Sequence, residues 1–131
     1  MSALEKNFVK RIMKQLRKDG CHAQRHEDKY SSGIPDIEFC KNGGVVWLEA
    51  KVIRIMPVRS TTKIRFDWRD DQRLWAEDRI AAGGRAYGIL QVSRTECLLL
   101  WHDCPELPLD ELRSNALDRG SLAQILANLY I

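Results

Sequence analysis

No apolar run in the 131 residues is long enough to cross a bilayer. The first residues, MSALEKNFVKRIMK, also contain no uninterrupted apolar segment, so we expect no secretory signal. These absences favour a protein that acts in the cytoplasm, away from a membrane. The length fits a single domain at 1–131, which we expect to consist of a core at about 4–102 and a helical C-terminal extension at about 103–131.

Cysteine is scarce and scattered. The four cysteines share no paired CxxC spacing, and they are Cys21, Cys40, Cys97 and Cys104. Without an export signal, we expect reduced thiols in a bacterial or archaeal cell, or in the host cell of a virus. A zinc site would use Cys97, His102 and Cys104, which do not form a closed four-ligand set. The favoured interpretation is therefore that these residues are buried within strands and bind no zinc.

Neither sign of charge dominates, because 21 lysines and arginines are balanced by 18 aspartates and glutamates, for a formal charge of +3. This balance permits a nucleic-acid partner without requiring one. The cations are concentrated in the first 18 residues and at 53–66, and the acids at 103–118. A solvated helix face would explain the first cluster, and contact with DNA phosphates is the alternative. The candidate DNA-binding cations are Lys10, Lys14, Arg54, Arg59, Lys63 and Arg65.

The first half of the chain predicts a helix followed by three strands. Apolar residues that recur every four positions predict an amphipathic helix, which Asp19-Gly20 ends. Polar residues 21–29 predict a short edge strand, and residues 34–39 predict a second strand. Asn42-Gly43-Gly44 is typical of a hairpin turn, and the apolar run 45–48 after it predicts a central strand that is covered on both faces.

The second half predicts further helices and strands around a long loop. Residues 53–66 lack periodicity and predict that loop. Asp67 is suited to cap the next helix, and the sequence from Ser121 matches a capping box. The remaining predicted elements are a helix at about 69–82, strands at 85–92 and 97–102, and two short terminal helices. This order predicts an α/β domain with a mixed sheet.

Three charged residues stand at the ends of two predicted strands. Asp36 follows Pro35 and a Ser-Ser-Gly loop, and Glu49-Ala50-Lys51 ends the apolar strand. Since side chains alternate along a strand, Glu49 and Lys51 point to one side and Ala50 to the other. The hairpin turn makes the two strands antiparallel neighbours, so we expect Asp36 near Glu49.

Two carboxylates beside a lysine suit a hard divalent cation. Mg²⁺ takes oxygen ligands and keeps several waters, so one or two carboxylates and a substrate phosphate suffice. Such a cation can activate water and stabilise charge on a phosphoryl oxygen, and a lysine can add positive charge near the reacting centre. A cross-strand salt bridge is the alternative interpretation of the same residues.

The pattern of Pro35-Asp36, twelve residues and then Glu49-Ala50-Lys51 resembles the PD-(D/E)xK signature of the restriction-endonuclease-like nucleases. The stretches GCHAQRH and SGIPDI are similar to archaeal-type Holliday junction resolvases and to the VRR-NUC group. The resemblance covers about residues 4–92. It implies an αβββαβ core with a mixed central sheet flanked by helices, to which short C-terminal helices are added.

The resemblance also implies roles for individual residues. Asp36 and Glu49 would bind Mg²⁺ or Mn²⁺, with the Ala50 carbonyl as a third ligand, and Lys51 would position or activate the attacking water. The family's first-helix glutamate matches Glu5, which would help to hold the metal or water. The family often has a glutamine in the helix that follows the Glu49-Ala50-Lys51 strand, and this glutamine matches Gln72. The resolvase loop that contacts phosphate matches Ser31 and Ser32.

Each supporting residue also has a simpler explanation. Glu5 lies beside Val9 and Met13, on the margin of the buried helix face, and it could merely interact with the helix dipole. The spacing of Gln72 from the nearby tryptophans places it toward the protein, where it could contact the site or form an ordinary buried hydrogen bond.

The sequence therefore predicts a metal-dependent DNA endonuclease that acts on Holliday junctions, flaps or other branched DNA in recombination or repair. A non-catalytic nucleic-acid-binding or protein-binding module on the same scaffold is the alternative, as is a nicking or repair nuclease with another DNA substrate. Symmetric junction cleavage needs two active sites, which favours a homodimer. The candidate dimer residues, for which core packing is the alternative, are Leu122, Ile125, Leu126 and Leu129.

Overall fold

A computed structural model of the chain describes residues 2–26 and 33–127. A mixed sheet with flanking helices forms its centre, as the sequence predicts, and it has six strands, of which the last, Leu117–Asp118, was not predicted. In chain order the elements are α1 (Ala3–Lys18), β1 (His22–Arg25), β2 (Ile37–Lys41), β3 (Gly44–Val52), β4 (Lys63–Ile64), α2 (Asp70–Ala81), β5 (Arg85–Gln91), β6 (Glu96–Leu100), β7 (Leu107–Pro108), α3 (Leu109–Asn115), β8 (Leu117–Asp118) and α4 (Arg119–Ala127). Among the described residues, no helix has the length and apolarity to span a membrane.

The main sheet has the strand order β1-β2-β3-β5-β6-β8, and β4 and β7 form a separate two-stranded sheet. Strand β3 is central, antiparallel to β2 and parallel to β5. Its side chains alternate between two faces, so that Leu48 and Ala50 lie in the core beneath α1, and Glu49 and Lys51 point to the opposite side. The central strand thus presents its two charged residues away from the main core.

Helix α1 covers one face of the sheet. The Ser2 side chain accepts a hydrogen bond from the Glu5 amide at the start of the helix, and Gly20 has a φ of +88° just beyond its end. The helix buries an apolar stripe against the sheet, and burial of each large side chain contributes about 1.5–3 kcal/mol. The buried residues are Phe8, Val9, Ile12, Met13 and Leu16.

In the hairpin between β2 and β3, the turn lies where the sequence predicts it, but strand β2 begins later than predicted. Asn42 and Gly43 have φ values of 54° and 84°, which is the geometry of a tight hairpin turn of type I′. The predicted strand began at residue 34, and this start was wrong, because β2 begins at Ile37. Pro35 has no amide hydrogen to donate to a ladder, so it lies outside the strand.

Helix α4 packs on the same core as α1. Leu122 and Leu126 are only 4% and 1% exposed, and they belong to the cluster beneath α1. Core packing is therefore confirmed for these two residues, and they are not available as a dimer surface. The side chain of Ile125, and Leu129 as a whole, lie outside the described residues.

Two predicted helix caps were wrong. Arg69, not Asp67, is the residue that precedes α2. Helix α4 begins at Arg119, and its cap is Asp118, whose carboxylate accepts hydrogen bonds from the amide and hydroxyl of Ser121. These bonds hold the pKa of Asp118 below its usual range.

The segment 53–66 is not wholly a loop. Lys63 and Ile64 pair with Pro108 and Leu107 in the β4–β7 sheet. The partner strand is more than forty residues away in the chain, and two-residue strands have no periodicity to detect. The C-terminal extension thereby takes part in organising the middle of the chain.

The cysteines are free thiols. Within the described ranges, no three His, Cys, Asp or Glu side chains form a group that could hold a metal, so Cys97, His102 and Cys104 are not assembled as a zinc site. Burial raises the pKa of the Cys97 thiol to about 12.

We expect Cys97 to resist alkylation in the native protein. At pH 8 a thiol with a pKa of about 12 is ionised in only about one molecule in ten thousand. Peptide mass spectrometry after iodoacetamide treatment would report modification of Cys97 in urea and essentially none without it. Because the folded pKa is raised, the contribution of this thiol to stability is complete below about pH 9 and is lost as the pH rises toward 12. Rapid alkylation of Cys97 in the native protein at pH 8 would contradict the raised pKa of this thiol.

Candidate active site

Asp36 lies at the open end of the β2–β3 hairpin. It is 4% exposed, and its Oδ2 accepts a hydrogen bond from the Ala50 amide at 3.1 Å. The ladder ends with Ile37 opposite Leu48, so Asp36 is the next residue along and lies beside Glu49. The register of the hairpin therefore brings Asp36 and Glu49 to neighbouring positions at one end of the strand pair, and their shared role as metal ligands stays a prediction.

Glu49 is held from the opposite side by helix α2. It is 2% exposed, and its Oε2 accepts a hydrogen bond from Gln72 Nε2 at 3.2 Å. Gln72 Oε1 accepts from the Arg69 amide at 3.0 Å, at the start of α2. Because the amide oxygen is engaged by the helix start, the amide nitrogen must face the carboxylate. Gln72, itself 4% exposed, therefore both caps α2 and positions Glu49.

Ala50 and Lys51 complete the end of β3. The amide and carbonyl of one strand residue point to the same side, so the Ala50 carbonyl, like its amide, faces Asp36. The Ala50 methyl group is buried beneath α1. Lys51 is half-buried and shares a face of the strand with Glu49.

These donors fit a hard divalent cation. Asp36 and Glu49 supply carboxylate oxygens, and Ala50 can supply a backbone oxygen on the same side. The described residues contain no group of three His, Cys, Asp or Glu side chains that could hold a metal. Mg²⁺ is satisfied by one or two carboxylates and water, so the donor set suits it.

A polar cleft of about 620 Å³ lies beside Lys51. Glu5 enters it from the first turn of α1, and Arg54 donates to Glu5 Oε1 at 3.3 Å. The side chain of Glu5 is largely shielded and that of Arg54 is largely exposed. The remaining charged residues that line the cleft are Lys63, Arg65 and Asp67. The predicted residue Glu5 is thus on the same cleft as Lys51, and its role toward a metal stays a prediction.

The fold is similar to that of a solved Holliday junction resolvase. One matching structure is Hjc from Archaeoglobus fulgidus, described as a Holliday junction resolvase from an archaeal hyperthermophile. The match has a TM-score of 0.61 and covers 90% of this chain and 98% of that chain, with 17% sequence identity. At this identity the match shows the fold, which is the predicted restriction-endonuclease-like fold, and does not show the function. No family model and no curated protein matches the chain.

The resolvase-like fold divides the predicted DNA-binding cations between two surfaces. Arg54, Lys63 and Arg65 line the cleft, and Arg59 is exposed and is not among the lining residues. Lys10 and Lys14 lie instead along a groove of about 330 Å³ on the flank of α1. That groove is also lined by Met13, Arg17 and Arg25.

Arg25 was missed as a candidate by sequence reasoning. The alternation of β1 could have revealed it, since Ala23 is buried beneath α1 and Arg25 shares its face of the strand. The neighbouring surface of α1 already carried a cationic stripe in the sequence. Arg25 is two positions after the buried Ala23, and this spacing is the sequence signal that places Arg25 on the α1 side of β1, beside the groove.

Gly33 brings the loop before Asp36 against the start of α2. It is buried, has a φ of +86°, and a Cβ built on it would lie 2.2 Å from the Asp71 carbonyl oxygen. The adjacent residue in α2 is Gln72, so this contact places the loop next to the residue that positions Glu49. The predicted phosphate-contacting residues Ser31 and Ser32 lie outside the described residues.

We expect Gly33→Ala to destabilise the protein more than Gly43→Ala. Both glycines have positive φ, so each substitution costs about 1 kcal/mol for the backbone conformation. At Gly43 no described atom lies within 4 Å of the new methyl group, whereas at Gly33 the methyl group meets backbone, which adds about 1–3 kcal/mol. Urea denaturation of both variants measures the difference. Equal loss of stability would show that the loop does not pack against α2.

Proposed function

We propose that this protein is a Mg²⁺- or Mn²⁺-dependent endodeoxyribonuclease. The observation that carries the proposal is the pair of buried carboxylates, Asp36 and Glu49, at the end of the hairpin, with Lys51 on the Glu49 face beside a cationic cleft. Two carboxylates that are buried side by side repel each other and lose hydration, and a bound divalent cation would offset both costs. A metal-binding role explains their burial, and a simple cross-strand salt bridge does not require the second carboxylate.

Each residue has a defined part in the proposed reaction. Asp36, Glu49 and the Ala50 carbonyl would hold the cation, which when bound supplies stabilisation of the charge that develops on the phosphoryl oxygens. Lys51 orients the attacking water and adds positive charge beside the reacting phosphate. Gln72 is a positioning residue, since it holds the Glu49 carboxylate through one hydrogen bond. Glu5, on the cleft wall, helps to hold the metal or water.

Branched DNA is the proposed substrate class. One solved structure of similar fold is a Holliday junction resolvase, and the cleft and the α1 groove of this protein both present cations suited to phosphates. Ser31 and Ser32 would contribute phosphate contacts in the loop before Asp36. Cleavage of both strands at a four-way junction requires two sites, so a homodimer that acts in recombination or repair follows from the proposal.

We expect cleavage to require the three charged residues and a divalent metal. The substrates are labelled four-way junction, flap, nicked and linear DNA, assayed with Mg²⁺, Mn²⁺ or EDTA. Asp36→Asn, Glu49→Gln and Lys51→Ala should each lower the cleavage rate by at least about 100-fold, because each removes a metal ligand or a charge at the reacting phosphate.

Lys18→Ala is the control for the loss of one lysine, since Lys18 is exposed at the end of α1, away from the cleft. Cleavage that persists in EDTA or in the Asp36→Asn variant would refute the proposal. DNA binding without metal-dependent cleavage by the wild-type protein would support the non-catalytic module instead.

We expect Gln72→Leu to slow cleavage by about tenfold while leaving the DNA dissociation constant unchanged. The variant removes the donor that holds Glu49, and Gln72 is not among the residues that line the cleft. Single-turnover rates and anisotropy titrations separate the two quantities. Asp78→Ala, on the exposed side of the same helix, is the matched control. An equal change in binding and rate would contradict a positioning role.

A further inference from the structure

Residues 53–65, named here the basic arm, leave the sheet directly after β3. The stretch between Glu49 and Asp67 contains no acidic residue and five cations, one of which is Lys51. Three cations of the arm, Arg54, Lys63 and Arg65, line the cleft beside Lys51. The arm therefore presents one sign of charge along the wall of the proposed active site, which favours an anionic partner.

Both ends of the arm are fastened to the folded domain. The Ile53 amide donates to the Gln91 carbonyl of β5 at 3.3 Å, which holds the outgoing end. At the returning end, Phe66 is buried over Gly88, where a Cβ would lie 2.7 Å from the ring. Gly88 is paired with Glu49 in the β3–β5 ladder, so the arm returns next to the site.

The C-terminal extension clamps the returning half of the arm. In addition to the β4–β7 pairing, the amides of Leu109 and Asp110 donate to the carbonyls of Thr62 and Ser60, at 3.0 and 2.8 Å. Leu109 is itself almost fully buried. The extension thus holds the arm in place, and the conformation between the two anchors is constrained further at Pro57.

The part of the arm between these anchors exposes three apolar side chains, and Ile55 and Val58 are far more exposed than Met56, which is 37% exposed. Ile55 is 87% exposed and Val58 is fully exposed. Single exposed apolar residues are ordinary, but these two β-branched residues lie only three positions apart, between Arg54 and Arg59. Apolar side chains that are flanked by cations suit a partner with both phosphates and accessible base faces.

We propose that Ile55 and Val58 are the specificity-determining residues for branched DNA, where they pack against an unstacked base pair at the branch point. Nucleic-acid-binding proteins use apolar wedges in this way to contact base steps that have opened. A continuous duplex offers phosphates to Lys63 and Arg65 but no free base face. Because Arg54 adjoins Ile55 and also lines the cleft, the branch point would lie next to the cleavage site. This inference rests on the proposed function.

The test compares two double variants in their binding to a fluorescein-labelled four-way junction and to a linear duplex of the same arm sequence. Anisotropy titrations are carried out in EDTA, so that binding is measured without cleavage. Ile55→Ser/Val58→Ser should weaken junction binding by about tenfold and change duplex binding by less than about twofold. Lys63→Ala/Arg65→Ala should weaken both and lower the salt slope by about 2.

Leu74→Ala, which removes a half-exposed leucine from α2, is the matched control and should leave both affinities unchanged. Neither Ile55 nor Val58 is buried, so the serine variants should retain the wild-type melting temperature. A junction-to-duplex affinity ratio that is unchanged in the serine variant would overturn the proposal.

The binding experiment can fail or succeed independently of the proposed nuclease activity. A wild-type protein that prefers the junction in EDTA through Ile55 and Val58, but never cleaves it with Mg²⁺ or Mn²⁺, would support the inference and refute the nuclease. A protein that cleaves branched DNA with an unchanged affinity ratio in the serine variant would refute the inference alone.

Discussion

The hydrogen bond from the Ala50 amide to the Asp36 carboxylate is the interaction on which the site depends. It joins the residue before β2 to the one strand position that lies between Glu49 and Lys51. Two carboxylates that are removed from water repel each other and lose hydration, so they remain together only where donors and cations compensate. The Ala50 amide and the Gln72 side chain are such donors. Their geometry directs both acids to one end of the hairpin.

The two faces of the central strand β3 have different roles: one face packs in the core, and the other carries the residues of the candidate site. On one face of β3, Leu48 and Ala50 pack beneath α1 and α4. On the other, Glu49 receives its hydrogen bond from α2, and Lys51 faces the cleft. A shift of one residue in register would exchange the two sets of side chains, so the hairpin turn at Asn42-Gly43 supports both. This fold thereby holds the charged groups in place without placing them in the main core.

The C-terminal extension gains a structural role from this arrangement. Its β7 strand and the start of α3 are bound to the basic arm, and α3 is anchored by Leu109 and Leu112. Distant parts of the chain thus meet at the cleft, which is lined by Glu5 from α1 and by Lys63 and Arg65 from the basic arm. The basic arm is cationic and has few apolar side chains that it could bury by itself, so it depends on these contacts with the C-terminal extension for a defined conformation.

Local patterns in the sequence determined the helix α1, the turn of the hairpin, the alternation of Glu49 and Lys51, and the chain order of the first five strands of the main sheet, though not its sixth strand, β8. These features depend on periodicity and on turn chemistry that nearby residues carry. Long-range contacts decided the rest: the pairing of β4 with β7, the bond from Gln72 to Glu49, the division of the cations between cleft and groove, and the packing of Gly33 on α2. Such contacts join residues that are far apart in the chain, and no short pattern encodes which distant surface will meet which. The sequence therefore specified which groups carry charge, and only the tertiary structure decided which of them share a site.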